Sequence, residues 1–529
     1  MNLILFLLFS IQFLNCFASY LVDVKTNYGT VRGTQFESYR LFSGLPFAAP
    51  PIGNLRFASP QKPKAWSGIY NATTVKPGCL QSCDLPPGCC PAHISEDCLY
   101  LDVFTPANVD NQKLPVLLFF PGGAFFQGSP SVPLYDSRTL TNRTNVIIIN
   151  ASYRLGALGA LVHRSGSGYD VNGNFNIQDQ RQAMRWVQSE VAAFGGDPDK
   201  VTIFGQSAGA MSVGVHLISP ESKGLFRAAI MESNPLALPY KTKLEQSKWG
   251  KSFASHLGCS DLNCMRQKSA SELIKAELAT FHLSLNNLWE MALLWTPVID
   301  GKEFPKAPLA AFEAGLQVNV PVMIGTVQTE GLIFVKKVLK APISGLKYDL
   351  LMGALFGPLH GVLNHYPASS AHSSNHDLLA ARVVTDYVFQ CSTRLASQQL
   401  AKHNNGQTWL YRFDHAFSFG KRAWGADYAY CDQQTCHGGE LPFVFGSAPF
   451  QGDQWTPAEA TLSAQMQTYW GNFATNLTPN GRNTAGVWPP AVHGSNSTNI
   501  LFKTGQLMVD TNYNHKNCLF WNGFYHLMK

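Results

Sequence analysis

Charge is scarce in this chain. Asp, Glu, Lys and Arg make up 14% of its 529 residues, against about a quarter in an ordinary globular domain. Its 40 basic and 34 acidic residues leave a formal charge of only +6. No basic run stands out, which excludes the electrostatic footprint of a nucleic-acid binder. A neutral polar surface, partly covered by glycans, is expected instead. Long apolar runs are equally scarce. Beyond the first residues no stretch reaches about 18 consecutive apolar side chains, so no membrane-spanning helix is expected. There is no internal repeat, no low-complexity linker and no C-terminal retention tetrapeptide or lipid-anchor tail. The cysteines lack the second Cys-x-x-Cys pair that a zinc knuckle needs. Neither a metal nor a cofactor is expected.

What is present points toward export. Leu3 to Leu14 form a nearly unbroken apolar run followed by Asn15-Cys16-Phe17-Ala18. This reads as a secretory signal cleaved after Ala18, although the usual positive start is missing, and it is too short to span a bilayer. Residues 1–18 are therefore expected to be a signal peptide and 19–529 a single domain, secreted or held in the lumen of secretory vesicles. Twelve cysteines suit an oxidising compartment. Cys16 leaves with the signal, so an odd number remains and at least one is free or unusually paired. Sequons at Asn71, Asn142 and Asn496 are expected to carry glycans. Asn150 lies in an apolar strand-like run and Asn476 is followed by Thr478-Pro479, so both are discounted.

Along the chain, Leu21–Lys25 and Thr30–Arg32 flank a turn, Thr26-Asn27-Tyr28-Gly29, and predict an opening hairpin. A loop from Cys79 to Cys98 then holds Cys83, Cys89 and Cys90 beside Pro86-Pro87-Gly88, and reads as a disulfide loop. From Tyr100 onward short apolar runs alternate with helical periodicity. Leu114–Phe120, Asn145–Tyr153, Val201–Phe204, Ala228–Met231, Val320–Ile324 and Thr408–Phe413 read as buried strands, and Ile177–Phe194 as a helix. The fold class is α/β: a large, mostly parallel sheet with helices on both faces. Lys241–Trp295 is expected to form a helical sub-lobe over one end of it.

The chemistry centres on Gly205-Gln206-Ser207-Ala208-Gly209, directly after the Val201 strand. This G-x-S-x-G pattern turns sharply from strand to helix and leaves the serine hydroxyl exposed. A serine is a poor nucleophile unless a base stands beside it, and that base needs a carboxylate to orient it. In a doubly wound hydrolase these follow in the order serine, acid, histidine. Glu330, on a short loop after the Val320 strand, is the candidate acid. His437, in Cys436-His437-Gly438-Gly439-Glu440, is the candidate base. Most of the other histidines, such as His360, His365, His372 and His376, sit in polar or loop contexts and read as surface groups. Pro121-Gly122-Gly123-Ala124, after the Leu114 strand, offers backbone N–H groups for an oxyanion, with Ala208 N–H as a further donor.

These segments together resemble the type-B carboxylesterase/cholinesterase family, whose members have the α/β-hydrolase fold with insertions over an active-site gorge. The similarity spans nearly the whole mature chain. It is carried by Ser95-Glu96-Asp97-Cys98-Leu99-Tyr100-Leu101, Ala193-Phe194-Gly195-Gly196-Asp197-Pro198, the elbow, and His437-Gly438-Gly439-Glu440 through Phe443-Val444-Phe445-Gly446. The resemblance implies Ser207 as the acyl-forming nucleophile, Glu330 as the acid and His437 as base and acid, with Gly123, Ala124 and Ala208 forming the oxyanion hole. It also implies disulfides Cys79–Cys98, Cys259–Cys264 and Cys391–Cys518, and structural ion pairs Arg56–Glu96 and Arg154–Asp179. Cys431–Cys436 is an additional expected bridge, and Cys83 is left to pair with either Cys89 or Cys90.

Three departures narrow the expectation. Gln206 stands where the family usually carries glutamate, and Gly88 falls where a cholinesterase stacks an aromatic ring on its cation. A quaternary ammonium ligand wants aromatic faces and nearby negative charge, so uncharged esters are expected rather than choline esters. In the oxyanion loop, Pro121 replaces a histidine or tyrosine and Ala124 replaces the third glycine. The expected partner is a small-molecule ester, and no oligomeric state follows from the sequence. The alternative is a catalytically silent adhesion, storage or matrix protein, because the same family includes neuroligin-like members.

Overall fold

The computed structural model describes residues 19–109, 112–281, 293–339, 341–357, 361–371, 374–492, 497–505 and 507–527. The expected signal segment and Asn496 lie outside these residues. One large sheet dominates. Its strands are β1 (Tyr20–Thr26), β2 (Gly29–Gln35), β3 (Tyr39–Pro46), β4 (Tyr100–Pro106), β5 (Leu114–Phe120), β6 (Ile147–Ala151), β7 (Gly196–Gln206), β8 (Ala228–Glu232), β9 (Val322–Val327), β10 (Thr408–Phe413), β11 (Thr498–Phe502) and β12 (Met508–Thr511). The spatial order is β1-β2-β3-β4-β6-β5-β7-β8-β9-β10-β11-β12, and a short strand, Ile69–Asn71, adds parallel to β2. From β6 to β11 every pairing is parallel, and antiparallel strands close both flanks.

Continuous apolar runs form these strands because both faces are covered. Val116, Leu118, Phe120, Ile147 and Ile149 pack into one core, shared with the helix Ala208–Ile218. Their neighbours Leu117, Phe119, Ile148 and Phe204 point the other way, into a core shared with Met466, Trp470 and Phe473 of the helix Pro457–Asn476. Each fully buried aliphatic or aromatic side chain contributes roughly 1.5–3 kcal/mol, so these two layers fix the sheet that carries the site.

The helix predicted over Ile177–Phe194 runs from Phe175 to Glu190 and tightens to a 3-10 turn over Val191–Phe194. Strand β7 begins at Gly196, earlier than the apolar run suggests, with a register irregularity between Gly196 and Val201. Pro198 sits in that irregularity, where a missing N–H costs no ladder bond. Helices Lys243–His256, Leu262–Arg266 and Ala270–Thr280 form the sub-lobe around a small core of Phe253, Met265, Leu273 and Trp295; residues 282–292 of the predicted sub-lobe lie outside the description. Disulfides join Cys79–Cys98, Cys83–Cys90, Cys259–Cys264, Cys391–Cys518 and Cys431–Cys436, and Cys89 is free. Arg56 pairs with Glu96 at 2.5 Å and Arg154 with the buried Asp179 at 2.7 Å. Asn71 and Asn142 are exposed, whereas Asn150 is buried, with its amide donating to the Tyr135 carbonyl at 2.9 Å. Among the described residues no helix is long and apolar enough to cross a membrane.

Candidate active site

Strands β5, β7, β8 and β9 end at one level, with Phe120 opposite Gly205, Gln206 opposite Glu232 and Glu232 opposite Gly325. The loops beyond these carboxyl ends converge, as they do in open parallel sheets generally. The elbow is the sharpest of them. Ser207 adopts φ 56°, ψ −121°, a left-handed region that a non-glycine residue enters at a cost of about 1–3 kcal/mol. Its N–H is held by the Glu232 carbonyl at 2.9 Å, and its own carbonyl accepts from Met211 N–H at 2.8 Å to start the following helix. The glycine after it is obligatory: a Cβ on Gly209 would stand 1.9 Å from the Phe120 carbonyl.

The acid and the histidine are brought together. Glu330 is fully buried; one carboxyl oxygen accepts from Val327 N–H at 2.9 Å and the other lies 2.5 Å from His437 Nδ1. The two loops are stitched to each other by a short parallel bridge between Thr329 and Cys436, with Thr329 N–H donating to the Thr435 carbonyl at 3.0 Å. The Cys431–Cys436 disulfide then anchors the residue next to His437. The imidazole is flanked by Phe334 and Phe389, each with its ring centroid 5.1 Å away. Those rings were not singled out from the sequence, because neither carries a motif.

The serine and the histidine are not hydrogen-bonded to each other among the described residues. His437 Nε2 instead lies 3.1 Å from the side-chain nitrogen of Gln206, which is buried. In the loop after β5, Gly123, Ala124 and Phe125 all have positive φ, at 112°, 58° and 60°. Gly122 packs directly on the elbow, since a Cβ there would lie 3.1 Å from the Ser207 Cβ. Ala208 opens the elbow helix. Ser207 and the neighbouring Ala124 and Phe125 are thus all held at positive φ, and strain of this kind persists where surrounding structure over-determines it.

Two further carboxyls lie behind this arrangement. Glu232, at the end of β8, is fully buried and accepts from Trp470 Nε1–H at 2.7 Å. Burial pushes its carboxyl up to about 8, against which the Trp470 hydrogen bond pulls down. Glu440, three residues past His437, is also fully buried; burial and repulsion from Glu232 and Glu330 push it well above the usual carboxylate range. An acidic residue closing the apolar run Ala228–Met231 was the one available sequence signal for Glu232. Among the described residues no group of three or more His, Cys, Asp or Glu side chains could hold a metal ion.

Comparison with known proteins places this geometry in context. Residues 21–521 match the family profile described as "Carboxylesterase family". The chain is 36% identical over 517 residues to the crystal protein of Dictyostelium discoideum, covering 95% of this chain and 92% of that protein. It is 33% identical over 541 residues to an acetylcholinesterase of Bungarus fasciatus, covering 95% and 86%. It is 34% identical over 500 residues to a para-nitrobenzyl esterase of Bacillus subtilis, covering 90% and 94%.

Proposed function

Because the chain belongs to the carboxylesterase family, whose fold is the α/β-hydrolase, we propose that it hydrolyses uncharged carboxylic esters through an acyl-enzyme on Ser207. The observation that carries this reading is the buried Glu330–His437 contact, 2.5 Å long, beside the strained serine elbow. With Nδ1–H donated to Glu330, Nε2 is left with the lone pair that a general base needs. The Ser207 hydroxyl adds to the ester carbonyl as its proton passes to His437 Nε2. The N–H groups of Gly123, Ala124 and Ala208 receive the oxyanion, and Nε2–H is then given to the departing alkoxide. Water reverses the sequence to release the acid.

The preference for uncharged esters is supported by two neutral positions. Gly88 is exposed and offers no ring to a cation, and Gln206 puts an amide, not a carboxylate, beside the histidine. The five disulfides fit a chain matured in an oxidising compartment, which supports secretion or a vesicle lumen, with Asn71, Asn142 and Asn496 as glycan acceptors.

Ser207→Ala is expected to abolish p-nitrophenyl ester turnover, a loss of at least about a thousandfold, with an unchanged melting temperature. Full activity in that variant overturns the assignment. A second reading, a catalytically silent storage or matrix protein, draws support from the similarity to the Dictyostelium crystal protein and from the absence of a Ser207–His437 hydrogen bond. A fluorophosphonate probe separates the two: labelling at Ser207 supports the esterase, and an unlabelled folded protein supports the silent reading.

A further inference from the structure

Both ring nitrogens of His437 are engaged, and only one of them by its expected partner. Nδ1 faces Glu330, while Nε2 faces the Gln206 amide nitrogen at 3.1 Å. The Gln206 amide is not loosely placed. It is buried, its oxygen would stand 2.6 Å from a Cβ on Gly122, and its nitrogen would stand 3.8 Å from a Cβ on Gly438. Gly122 of the oxyanion loop thus leaves the room this planar group occupies, and Gly438 of the histidine loop lies at ordinary contact on its nitrogen side. A neutral imidazole that donates Nδ1–H to a carboxylate has one remaining lone pair, on Nε2, and here an amide N–H is directed at it. That lone pair is the one a serine proton must reach.

We propose that Gln206 is a positioning residue that holds His437 in an idle state and releases Nε2 to Ser207 when an acyl substrate is seated. The proposal rests on the esterase reading and specifies a step within it. In the idle state Gln206 N–H donates to Nε2. In acylation that hydrogen bond breaks, the Ser207 O–H bond breaks with its electron pair staying on Oγ, the Oγ–carbon bond forms, and the proton moves to Nε2. As the Oγ–carbon bond forms, the carbonyl π pair moves onto its oxygen; when that pair returns, the acyl carbon–alkoxide bond breaks and Nε2–H passes to the departing alkoxide. A carboxylate at this position only accepts. It would favour the charged ring and would not hold the neutral one.

The charged and titratable groups around His437 are carboxyls. Glu330, on the loop after β9, faces Nδ1; Glu440 on its own loop is repelled by Glu330 and by Glu232 at the end of β8, and Tyr411 of β10 is raised by burial first and then by all three. Among the described residues, the rings packed against its faces are Phe334 and Phe389.

The test uses the full chain and two variants, Gln206→Leu and Gln206→Glu. The rate constant for fluorophosphonate labelling and the burst of a p-nitrophenyl ester are followed across pH, and the His437 imidazole nitrogens are observed by 15N NMR. Gln206→Leu removes one neutral hydrogen bond that must otherwise break, so acylation is expected to be about three- to tenfold faster, with loss of the hydrogen-bond shift at Nε2. Gln206→Glu is expected to move the acid limb to higher pH, because a neighbouring negative charge favours the imidazolium. Variants that fold and label no faster than wild type, with an unmoved acid limb, overturn the idle-state role and leave the esterase reading standing. A wild type that shows the Nε2 contact by NMR yet never labels overturns both.

Discussion

Glu330 and Glu440 are equally sealed from water and sit on loops at the same end of the sheet, yet their surroundings could hardly differ more. Glu330 has a partner for each oxygen, a backbone N–H and an imidazole. Neither oxygen of Glu440 has a well-aligned hydrogen-bond partner among the described residues, although Ser233 and its own backbone pull its carboxyl down, and Glu232 has a partner for only one of its two. Burial alone therefore does not equip a carboxylate for the role proposed for Glu330. Removing a charge from water costs several kcal/mol unless donors replace the lost solvent, and only Glu330 is given one for each oxygen. Burial raises the other two, Glu232 to about 8 and Glu440 well above the usual carboxylate range.

The sharpest way to break this contrast is Glu330→Gln. The amide keeps the shape but can donate to Nδ1, which selects the wrong imidazole tautomer. A loss of about 10³–10⁴ in kcat/KM is expected, by analogy with the aspartate-to-asparagine change in a serine protease triad, with little change in melting temperature. A variant within tenfold of wild type would mean that Glu330 does not orient the base. The same substitution at Glu440 is expected to change kcat/KM by less than about tenfold, because burial raises its carboxyl toward the neutral form that an amide resembles.

Glu232→Gln tests the contrast through stability. The folded carboxyl is raised from 4.5 to about 8. The stabilisation linked to that shift is complete below the unfolded value and is lost as pH rises through the folded one. Wild-type stability should therefore fall between about pH 5 and pH 8, at up to about 1.4 kcal/mol per pH unit from this one group. Glu232→Gln should flatten that slope. Urea midpoints at pH 5 and pH 8 decide it: equal slopes in variant and wild type would show that Glu232 is ionised in the native state.

The contrast also marks where sequence reasoning stops. Ser207, Glu330 and His437 could be picked out because each stands at a signal of local chemistry: a strand running into Gly-x-Ser-x-Gly, an acid just after a buried strand, a histidine between a cysteine and two glycines. The parallel sheet was legible for the same reason, since β5, β6 and β8 are nearly uninterrupted apolar runs. The Gln206–His437 contact was not, because it joins residues of separate loops and relies on the room that Gly122 leaves from a third. Phe334 and Phe389 were missed likewise. Their role follows from a helix and a π-helical turn meeting at the imidazole, and nothing local in either segment announces it.

Trp470 gives the finest resolution of the comparison. Its indole N–H is the one donor to the Glu232 carboxyl among the described residues, at 2.7 Å, and its ring is wholly buried against Tyr411 and Phe502. Trp470→Phe keeps an aromatic ring in the layer and removes the donor. At pH 5, where Glu232 is protonated, the lost bond is neutral and should cost about 0.5–1.5 kcal/mol besides the packing change. Above pH 8 the carboxylate form loses a charge-assisted bond, which should cost about 1.5–3 kcal/mol. Since the indole pulls the Glu232 carboxyl down, its removal should also carry the window of pH-dependent stability further upward. In the Trp470→Phe/Glu232→Gln double variant the cost should no longer depend on pH. A cost for Trp470→Phe that is already the same at pH 5 and pH 9 would reduce Trp470 to packing, and would leave the protonation of Glu232 to burial alone.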